Sequence, residues 1–356
     1  MSFRITDKNK IKKVLIVKPS SLGDIIHVFP AFELLKTNLP NAKFDWVVNP
    51  NFKDVLSCLG KEIDNKIIFD RKRFKSRYFF SVLLKLIRNV RKEKYDLVID
   101  FQGLMRSSLV TFLARSKMKI GFFDVREKLA VYAYKEKVKI PKNLKHAIEK
   151  NIYLACKSIG LNYELSNYKL IPEFIRNENF EYITLPQKFI IIAPGARWPS
   201  KMWPTSFFAK IADEVATNLP NIAIVIIGSS HEIKIANNLI ELCHIAKPIS
   251  FAGITTLEEL IYILSRSTLL LTNDSGPMHI AAALRRDVVA LFGPTSPVKT
   301  GPFWEWNRVF SPKTGCTLCM KRECTKRIIE CQESISYRDV ADCIVTRLIK
   351  TEQGLK

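Results

Sequence analysis

The most regular feature of the chain is a set of short apolar runs, each followed by a polar loop and an apolar helical stretch. Unbroken runs of this length are typical of strands buried on both faces, as in parallel sheets. Strands that alternate with helices predict βαβ units and therefore an α/β fold. The runs cover residues 14–17, 44–48, 95–100, 189–193, 222–227, 269–271 and 287–292.

The same order of strand, loop and helix occurs in both halves of the chain, without an internal sequence repeat. Between the halves, residues 161–187 lose the periodicity and gather Asn, Glu and Pro, as is typical of a linker. We therefore predict one Rossmann-like domain over residues 1–175 and a second over 176–335. Residues 336–356 are predicted to contain a closing amphipathic helix.

The charge of the chain is strongly positive, with 56 Lys and Arg against 34 Asp and Glu and a formal net charge of +22. This excess favours an anionic partner: nucleic acid, an anionic membrane or a phosphorylated substrate. A lysine-rich composition without a binding role is the alternative. The sequence shows no zinc-finger spacing and no RRM aromatic signature, so nucleic acid is not the partner that we expect.

The sequence gives no sign of a membrane span or a secretion signal. No apolar run approaches the roughly 20 residues of a spanning helix, and the Lys-rich start lacks a signal-peptide core. We therefore expect a soluble, cytoplasmic protein. Residues 66–94 nevertheless hold eleven Lys and Arg but two acids, with Arg71, Lys72, Arg73, Lys75 and Arg77 leading into an apolar segment. Two interpretations stay open: a crossover helix packed on the sheet, or a surface that contacts anionic lipid.

Three acidic residues follow predicted strands, at positions that suit a role in catalysis or ligand binding. Asp24 lies at the start of a helix predicted over about residues 25–38, where the helix dipole favours the ionised carboxylate; it is either a proton acceptor or a plain N-cap. The segment Asp274-Ser275-Gly276 lies at another helix N-terminus, which suits a phosphate group. Glu232 follows a strand and is placed to bind a ribose. The loop before Asp24 lacks both G-x-G-x-x-G and a P-loop ending, which disfavours a nicotinamide enzyme.

Four of the eight cysteines cluster near the end of the chain, as Cys316, Cys319, Cys324 and Cys331. Their spacing is not the paired C-x2-C arrangement of a zinc ribbon, and neighbouring Lys and Arg would stabilise thiolates. A structural zinc site, unrelated reduced thiols and a disulfide all remain open. Because cytoplasmic cysteines are mostly reduced, the disulfide is the least favoured of the three.

Several loop motifs together resemble family 9 glycosyltransferases, the ADP-heptose:lipopolysaccharide heptosyltransferases. The motifs are KPSSLGDIIHVFPA, DFQGLMRSS, PGARWPSKMWP, NDSGPMH and FGPTSPVKTGP, and they extend over nearly the whole chain. The resemblance implies a GT-B fold, with two Rossmann-like domains facing across a cleft. The first domain would bind the acceptor and the second the nucleotide sugar, while the terminal helix would pack back on the first domain.

The resemblance also assigns roles to individual residues. Asp24 would be the general base that deprotonates the acceptor hydroxyl, and Lys201 would meet the departing diphosphate, a role that suits a compact cation. His27 and His146 are weaker candidates for acceptor contacts. The other donor-binding candidates are Arg197, Glu232, Asp274, Ser275, Gly276, His279 and Thr295, and the acceptor-binding candidates are Ser21, Gly23, Gln102 and Arg106.

By resemblance, the reaction is an inverting transfer of heptose from ADP-L-glycero-β-D-manno-heptose to the Kdo–lipid A inner core. The motifs SSLGDIIH and FDWVV favour the heptosyltransferase I type over type II. No Asp-x-Asp motif is present, so we predict that catalysis needs no metal cofactor. The acceptor implies peripheral association with the cytoplasmic face of the inner membrane. The alternatives are another family 9 transferase and a non-catalytic binder of anionic membrane or nucleic acid.

Overall fold

The computed structural model describes residues 8–70, 73, 79–164, 180, 182–304, 306–312, 316, 318–326 and 329–354. The chain divides into two compact units, Met1–Ile175 and Arg176–Lys356. Most of the predicted linker lies outside the described residues, as do four of the five basic residues that precede the apolar segment. Those four are Arg71, Lys72, Lys75 and Arg77.

The first unit is an α/β layer structure built on a six-stranded parallel sheet. The described strands of the unit, in this sheet and in a smaller one, are β1 (Lys13–Val17), β2 (Lys43–Val48), β3 (Asn65–Ile68), β4 (Lys94–Tyr95), β5 (Leu97–Asp100), β6 (Arg115–Ser116), β7 (Lys119–Phe122) and β8 (Glu136–Val138). The order in the main sheet is β3-β2-β1-β5-β7-β8, and β4 pairs separately with β6. The last four residues of β1 and all of β5 are buried, which explains their unbroken apolar sequence.

Five α-helices connect these strands. They are α1 (Leu22–Ile26), α2 (Phe29–Asn38), α3 (Phe79–Arg91), α4 (Met105–Leu113) and α5 (Ala147–Ser158). Among the described residues of this unit, 3₁₀ segments cover Lys8–Lys10, Pro50–Glu62 and Lys128–Ala133. The single helix that the pattern after Asp24 suggests is in fact two, because Pro30 near the start of α2 cannot donate a hydrogen bond to Ile26.

The second unit repeats this architecture with a second six-stranded parallel sheet. Its strands are β9 (Phe189–Ala193), β10 (Ala223–Ile226), β11 (Ile249–Ser250), β12 (Leu269–Asn273), β13 (Asp287–Leu291) and β14 (Arg308–Phe310), in the order β11-β10-β9-β12-β13-β14. Its α-helices are α6 (Thr205–Asn218), α7 (Ile233–Leu242), α8 (Leu257–Arg266), α9 (Gly276–Ala283), α10 (Pro297–Thr300), α11 (Glu330–Glu333) and α12 (Tyr337–Glu352). Both units therefore show the 3-2-1-4-5-6 strand order of the Rossmann fold.

The terminal helix α12 belongs to the core of the second unit. Its residues Val340, Ile344 and Leu348 are almost fully buried in the same hydrophobic cluster as Phe208 and Val215 of α6. Arg347 adds an ion pair to Asp287 at the start of β13, with a shortest distance of 2.6 Å. The apolar face that was predicted to pack on the first domain is therefore buried in the second unit.

No helix in the described part of the chain combines the length and the apolar composition that crossing a bilayer requires.

Candidate functional site

In the second unit, the switch point of the sheet lies between the neighbouring strands β9 and β12. Crevices at such points, outside the carboxyl ends of the strands, are where open α/β sheets bind ligands. Asn273, at the end of β12, ties the two loops together here. Its side-chain nitrogen donates to the carbonyl of Pro194 at 2.7 Å, and its Oδ1 accepts from the backbone N–H of Trp203 at 3.1 Å. The loops after β9 and β12 are thus fixed against each other.

A buried ion pair joins the same two loops one residue further on. Lys201 Nζ lies 2.6 Å from Asp274 Oδ2, and the two side chains are 16% and 6% exposed. Thr295, in the loop after β13, donates its hydroxyl to the same oxygen at 2.6 Å. Three predicted donor-site residues, far apart in sequence, therefore meet at the carboxyl ends of three strands.

The ring of Trp198 and a second cation, Arg322, lie near this ion pair. Lys201 Nζ lies 4.7 Å from the ring centroid of Trp198, and the Arg322 guanidinium lies 5.7 Å from the same ring. Ser200, the neighbour of Lys201, donates its backbone N–H to Arg322 O at 3.3 Å and its hydroxyl to Lys321 O at 2.7 Å. Gln332 donates to Ser200 O at 3.3 Å. The segment that carries the cysteines is thus hydrogen-bonded to the loop that carries Lys201.

The N-terminus of α9 supplies backbone donors beside the ion pair. Ser275 is its N-cap residue, and its hydroxyl lies 3.0 Å from Thr272 Oγ1 instead of capping the helix. The first backbone N–H groups of a helix have no partner within the helix and carry its positive dipole end. This end of α9 is therefore suited to a phosphate, as the sequence predicted for Ser275 and Gly276.

Glu232 lies against the loop after β9, on the other side from α9. Its carboxylate accepts from the backbone N–H of Ser229 at 2.6 Å and from the Ser229 hydroxyl at 2.8 Å. A Cβ added to Gly195 would collide with this carboxylate, so only glycine allows the close approach. Arg197 is exposed in the same loop, and His279 is half-buried on α9.

The switch point of the first unit lies between β1 and β5 and holds a buried cation. Lys18, just after β1, is 6% exposed, and its Nζ donates to the carbonyl of Phe101, just after β5, at 2.8 Å. Burial lowers the pKa of Lys18, while the negative charges of Asp24 and Asp100 act in the opposite direction. The sequence pattern did not single out Lys18 or Asp100, although both are polar residues at the ends of apolar runs.

Asp24 lies at the same strand ends, in the first turn of α1. Its Oδ2 accepts from the Ser21 backbone N–H at 2.9 Å and from the Ser21 hydroxyl at 2.7 Å. Ser21, not Asp24, is the N-cap residue of α1. Asp24 is therefore not the N-cap residue itself. Its carboxylate, at the third helical position, closes a capping box with Ser21, and Leu22 and Gly23 lie between the two residues.

The other acceptor-side candidates lie at the neighbouring strand end and on α4 and α5. The backbone N–H of Gln102 donates to Asp100 Oδ1 at 2.8 Å, and Arg106 is half-buried in the first turn of α4. His27 and His146 stack edge to face, with ring centroids 5.5 Å apart, and both are almost fully buried. Their surroundings are those of packed histidines in the core.

Tyr134 holds Asp100, the buried last residue of β5, in place. Its hydroxyl donates to Asp100 Oδ2 at 2.7 Å, and burial raises the pKa of both groups. We expect Tyr134→Phe to lower the free energy of unfolding by roughly 1–3 kcal/mol, because Asp100 would lose a buried donor. Tyr132, which is 78% exposed, provides the matched control, and Tyr132→Phe should change stability by less than about 0.5 kcal/mol. Equal effects of the two variants in urea unfolding would contradict this role.

The cysteine cluster does not have the arrangement of a metal site. Among the described residues, which include all four thiols, no group of three or more His, Cys, Asp and Glu side chains could hold a metal ion. Burial, followed by the charges of Cys316, Cys319 and Cys324, raises the pKa of Cys331 to about 11. The structure therefore gives no support to a structural zinc, one of the three alternatives that the spacing left open. No disulfide joins the described cysteines.

Two Rossmann-like units, with a cationic loop and a helix N-terminus at one switch point and an aspartate at the other, define a glycosyltransferase of the GT-B class. Residues 83–329 match the family model of glycosyltransferase family 9 (heptosyltransferase). The match covers more than half of the sequence, and the chain belongs to glycosyltransferase family 9.

Named relatives agree with this assignment. The chain is 30% identical to lipopolysaccharide heptosyltransferase 1 of Escherichia coli K12, over 82% of this chain and 91% of that protein. It is 28% identical to lipooligosaccharide heptosyltransferase 2 of Campylobacter jejuni, over 93% and 96% respectively. The solved structure of E. coli heptosyltransferase WaaC with ADP has a TM-score of 0.78 at 25% identity, covering 94% of this chain and 99% of that one. The predicted family, fold class and enzyme class are confirmed.

Proposed function

We propose that the chain transfers heptose from ADP-L-glycero-β-D-manno-heptose to the Kdo–lipid A inner core, with inversion at the sugar C1. Heptose transfer in lipopolysaccharide core biosynthesis is supported by the family and by the relatives, which are named heptosyltransferases. The observation that carries the proposal is the Lys201–Asp274 pair beside the N-terminus of α9. This arrangement offers a diphosphate both a cation and backbone donors.

Binding of the donor diphosphate would redirect Lys201. In the structure its Nζ is held by Asp274, which is also hydrogen-bonded to Thr295. A diphosphate at the first turn of α9 would draw Lys201 toward its oxygens while Thr295 keeps Asp274 hydrogen-bonded. Lys201 and the amides near Ser275 and Gly276 would then stabilise the negative charge that develops as ADP leaves.

Asp24 is the proposed base of the transfer. Its carboxylate accepts the proton of the acceptor hydroxyl as that oxygen bonds to the heptose C1 and the bond from C1 to the ADP oxygen breaks. ADP leaves with the electron pair of that bond, and the configuration at C1 is inverted. Two hydrogen bonds from Ser21 hold the carboxylate in place, and Lys18 lies close enough to interact electrostatically with it.

The proposed chemistry needs no metal cofactor. Lys201 and the dipole of α9 supply the positive charge that a metal ion would otherwise place on the diphosphate. Arg197, Glu232 and His279 are proposed to complete the donor site, with Glu232 accepting hydrogen bonds from the ribose. Ser21, Gly23, Gln102 and Arg106 are the proposed acceptor contacts.

The heptosyltransferase I type is the proposed subtype, and type II is the second candidate. The relatives include heptosyltransferase 1 enzymes at 27–30% identity and a heptosyltransferase 2 at 28%. An acceptor that carries Kdo but no heptose distinguishes the two subtypes, because a type II enzyme requires a first heptose. The proposed location is the cytoplasm, in peripheral association with the inner membrane, where a lipid-linked acceptor is accessible.

Calorimetric titration with sugar nucleotides tests the donor assignment. We expect selective binding of ADP-heptose over ADP-glucose, UDP-glucose and GDP-mannose. Preference for another sugar nucleotide would overturn the donor, while leaving the family and fold unchanged. Absence of binding to all four, with an acceptor analogue present, would overturn the enzymatic proposal in favour of a non-catalytic anion binder.

A further inference from the structure

One surface of the first unit exposes large apolar side chains from three consecutive elements, and we call it the apolar face. On α3, Phe80 and Leu84 are 76% and 66% exposed. On α4, Leu109 and Phe112 are 41% and 66% exposed, and in the 3₁₀ segment Lys128–Ala133, Leu129 and Tyr132 are 64% and 78% exposed.

The spacing of these residues shows that the exposure is directional. Phe80 and Leu84 are four positions apart, so they lie on the same side of α3. Leu86 and Val90, which are buried in the hydrophobic core, lie on a different side of α3. The helix therefore has one apolar stripe that is buried in the core and a second apolar stripe that is exposed to solvent. The buried stripe fits the interpretation of this stretch as a packed crossover helix, while contact with anionic lipid stays a prediction.

The three elements form one continuous surface. The helix α4 packs against α3 on one side and against the 3₁₀ segment Lys128–Ala133 on the other. At the ends of the helices, the Arg115 guanidinium lies 3.5 Å from the carbonyl of Arg91, the last residue of α3. The helix α4 thus connects the two other elements that carry exposed apolar side chains.

Cations border the aromatic residues of the apolar face. Lys119 Nζ lies 5.7 Å from the ring centroid of Phe112 and donates to the Phe112 carbonyl at 2.7 Å. Lys137 Nζ lies 5.9 Å from the ring of Tyr132. Burial and then the positive charge of Arg91 lower the pKa of Lys119, as expected where cations cluster. Over residues 79–139 the sequence holds fourteen Lys and Arg against six Asp and Glu.

We propose that the apolar face docks on a bilayer containing anionic lipid, with its aromatic and leucine side chains in the interface and the bordering cations on the headgroups. Apolar side chains with flanking Lys and Arg match both layers of such a surface. A second copy of the chain would bring two clusters of the same charge together, which disfavours self-association through this face. The inference specifies the surface for the membrane association that is part of the proposed function. The role of this surface in reaching a lipid acceptor rests on that proposed function.

Vesicle co-sedimentation of the full chain tests this proposal without any sugar transfer. The vesicles contain either phosphatidylcholine alone or phosphatidylcholine with about one third phosphatidylglycerol. We expect binding to the anionic vesicles only, weakening as salt is raised, because salt screens exposed charges. The double variant Leu84→Ser/Phe112→Ser should lower the partition coefficient about tenfold or more. Ile245→Ser, at a residue of the second unit that is 58% exposed, is the matched control and should bind as the unaltered chain does.

A second variant and two further measurements make each outcome decisive. Lys117→Ser/Lys128→Ser, at an exposed lysine two residues before Lys119 and at another next to Leu129, should also weaken binding while keeping the apolar residues. Turnover of a water-soluble acceptor analogue should be unchanged in both double variants, so a failure of the docking proposal is distinguishable from a failure of the proposed function. Equal vesicle binding by all variants would overturn the proposal. It would also be overturned by a dimer in sedimentation equilibrium that the apolar-face variant alone dissociates.

Discussion

Asp24→Asn is expected to lower the turnover of heptose transfer by about 10²- to 10⁴-fold, the range that a positioned general base contributes. Asparagine has nearly the shape of aspartate but cannot take a proton from the acceptor hydroxyl. Donor binding should persist, because the proposed donor residues belong to the second unit. Steady-state kinetics and calorimetric titration with ADP-heptose measure the two quantities separately.

A fold control is needed, since Asp24 also accepts two hydrogen bonds from Ser21. Loss of part of this capping arrangement should cost about 1 kcal/mol, which thermal unfolding would register without abolishing the fold. Asp54→Asn is the matched control, because Asp54 is an exposed aspartate of the same unit and should keep full turnover. Full turnover in Asp24→Asn would show that another group is the base.

Lys201→Met is expected to lower kcat/KM by about 10²- to 10³-fold, comparable to the loss of one preorganised donor to a developing negative charge. Methionine keeps most of the side-chain length but removes the cation that would meet the diphosphate. Affinity for ADP should fall as well, because the same charge stabilises bound ADP. Stopped assays of transfer, together with ADP titration, provide both values.

The ion pair with Asp274 complicates this variant and also provides its control. Removing Lys201 leaves Asp274 buried with only its Thr295 hydrogen bond among the contacts described above, and this can cost up to roughly 3 kcal/mol of stability. The double variant Lys201→Met/Asp274→Asn should recover stability without recovering transfer. Lys210→Met, at an exposed lysine of α6, should affect neither. Recovery of transfer along with stability would assign Lys201 a structural role only.

The sequence predicted the central strands of both sheets because their signal is local, but it missed β3, β7, β8 and β14. An unbroken apolar run such as 189–193 is enough to predict a buried strand, and the end of the run predicts where the next loop begins. The helix after Asp24 was predicted as one piece, although Pro30 in the same stretch marks the break into α1 and α2. That signal was available in the sequence and was outweighed by the apolar residues on both sides.

The contacts that organise the two switch points could not be predicted, because their partners are distant in sequence. Lys18 reaches a carbonyl 83 residues away, and Asn273 reaches one 79 residues away. The packing partner of α12 also depends on the tertiary structure. The sequence pattern of α12 shows that one side is buried, but it does not show which elements that side packs against. The spacing of the cysteines likewise carries no information on how burial raises the pKa of Cys331.

The most direct test of the central claim is mass spectrometry of Kdo–lipid A after incubation with the purified chain and ADP-heptose. The account predicts that one heptose is added per acceptor, with one ADP released for each transfer, and that Asp24→Asn forms almost no product under the same conditions. Release of ADP without a heptosylated product would contradict it, because the donor would then be hydrolysed. Transfer only to an acceptor that already carries a heptose would contradict the type I assignment.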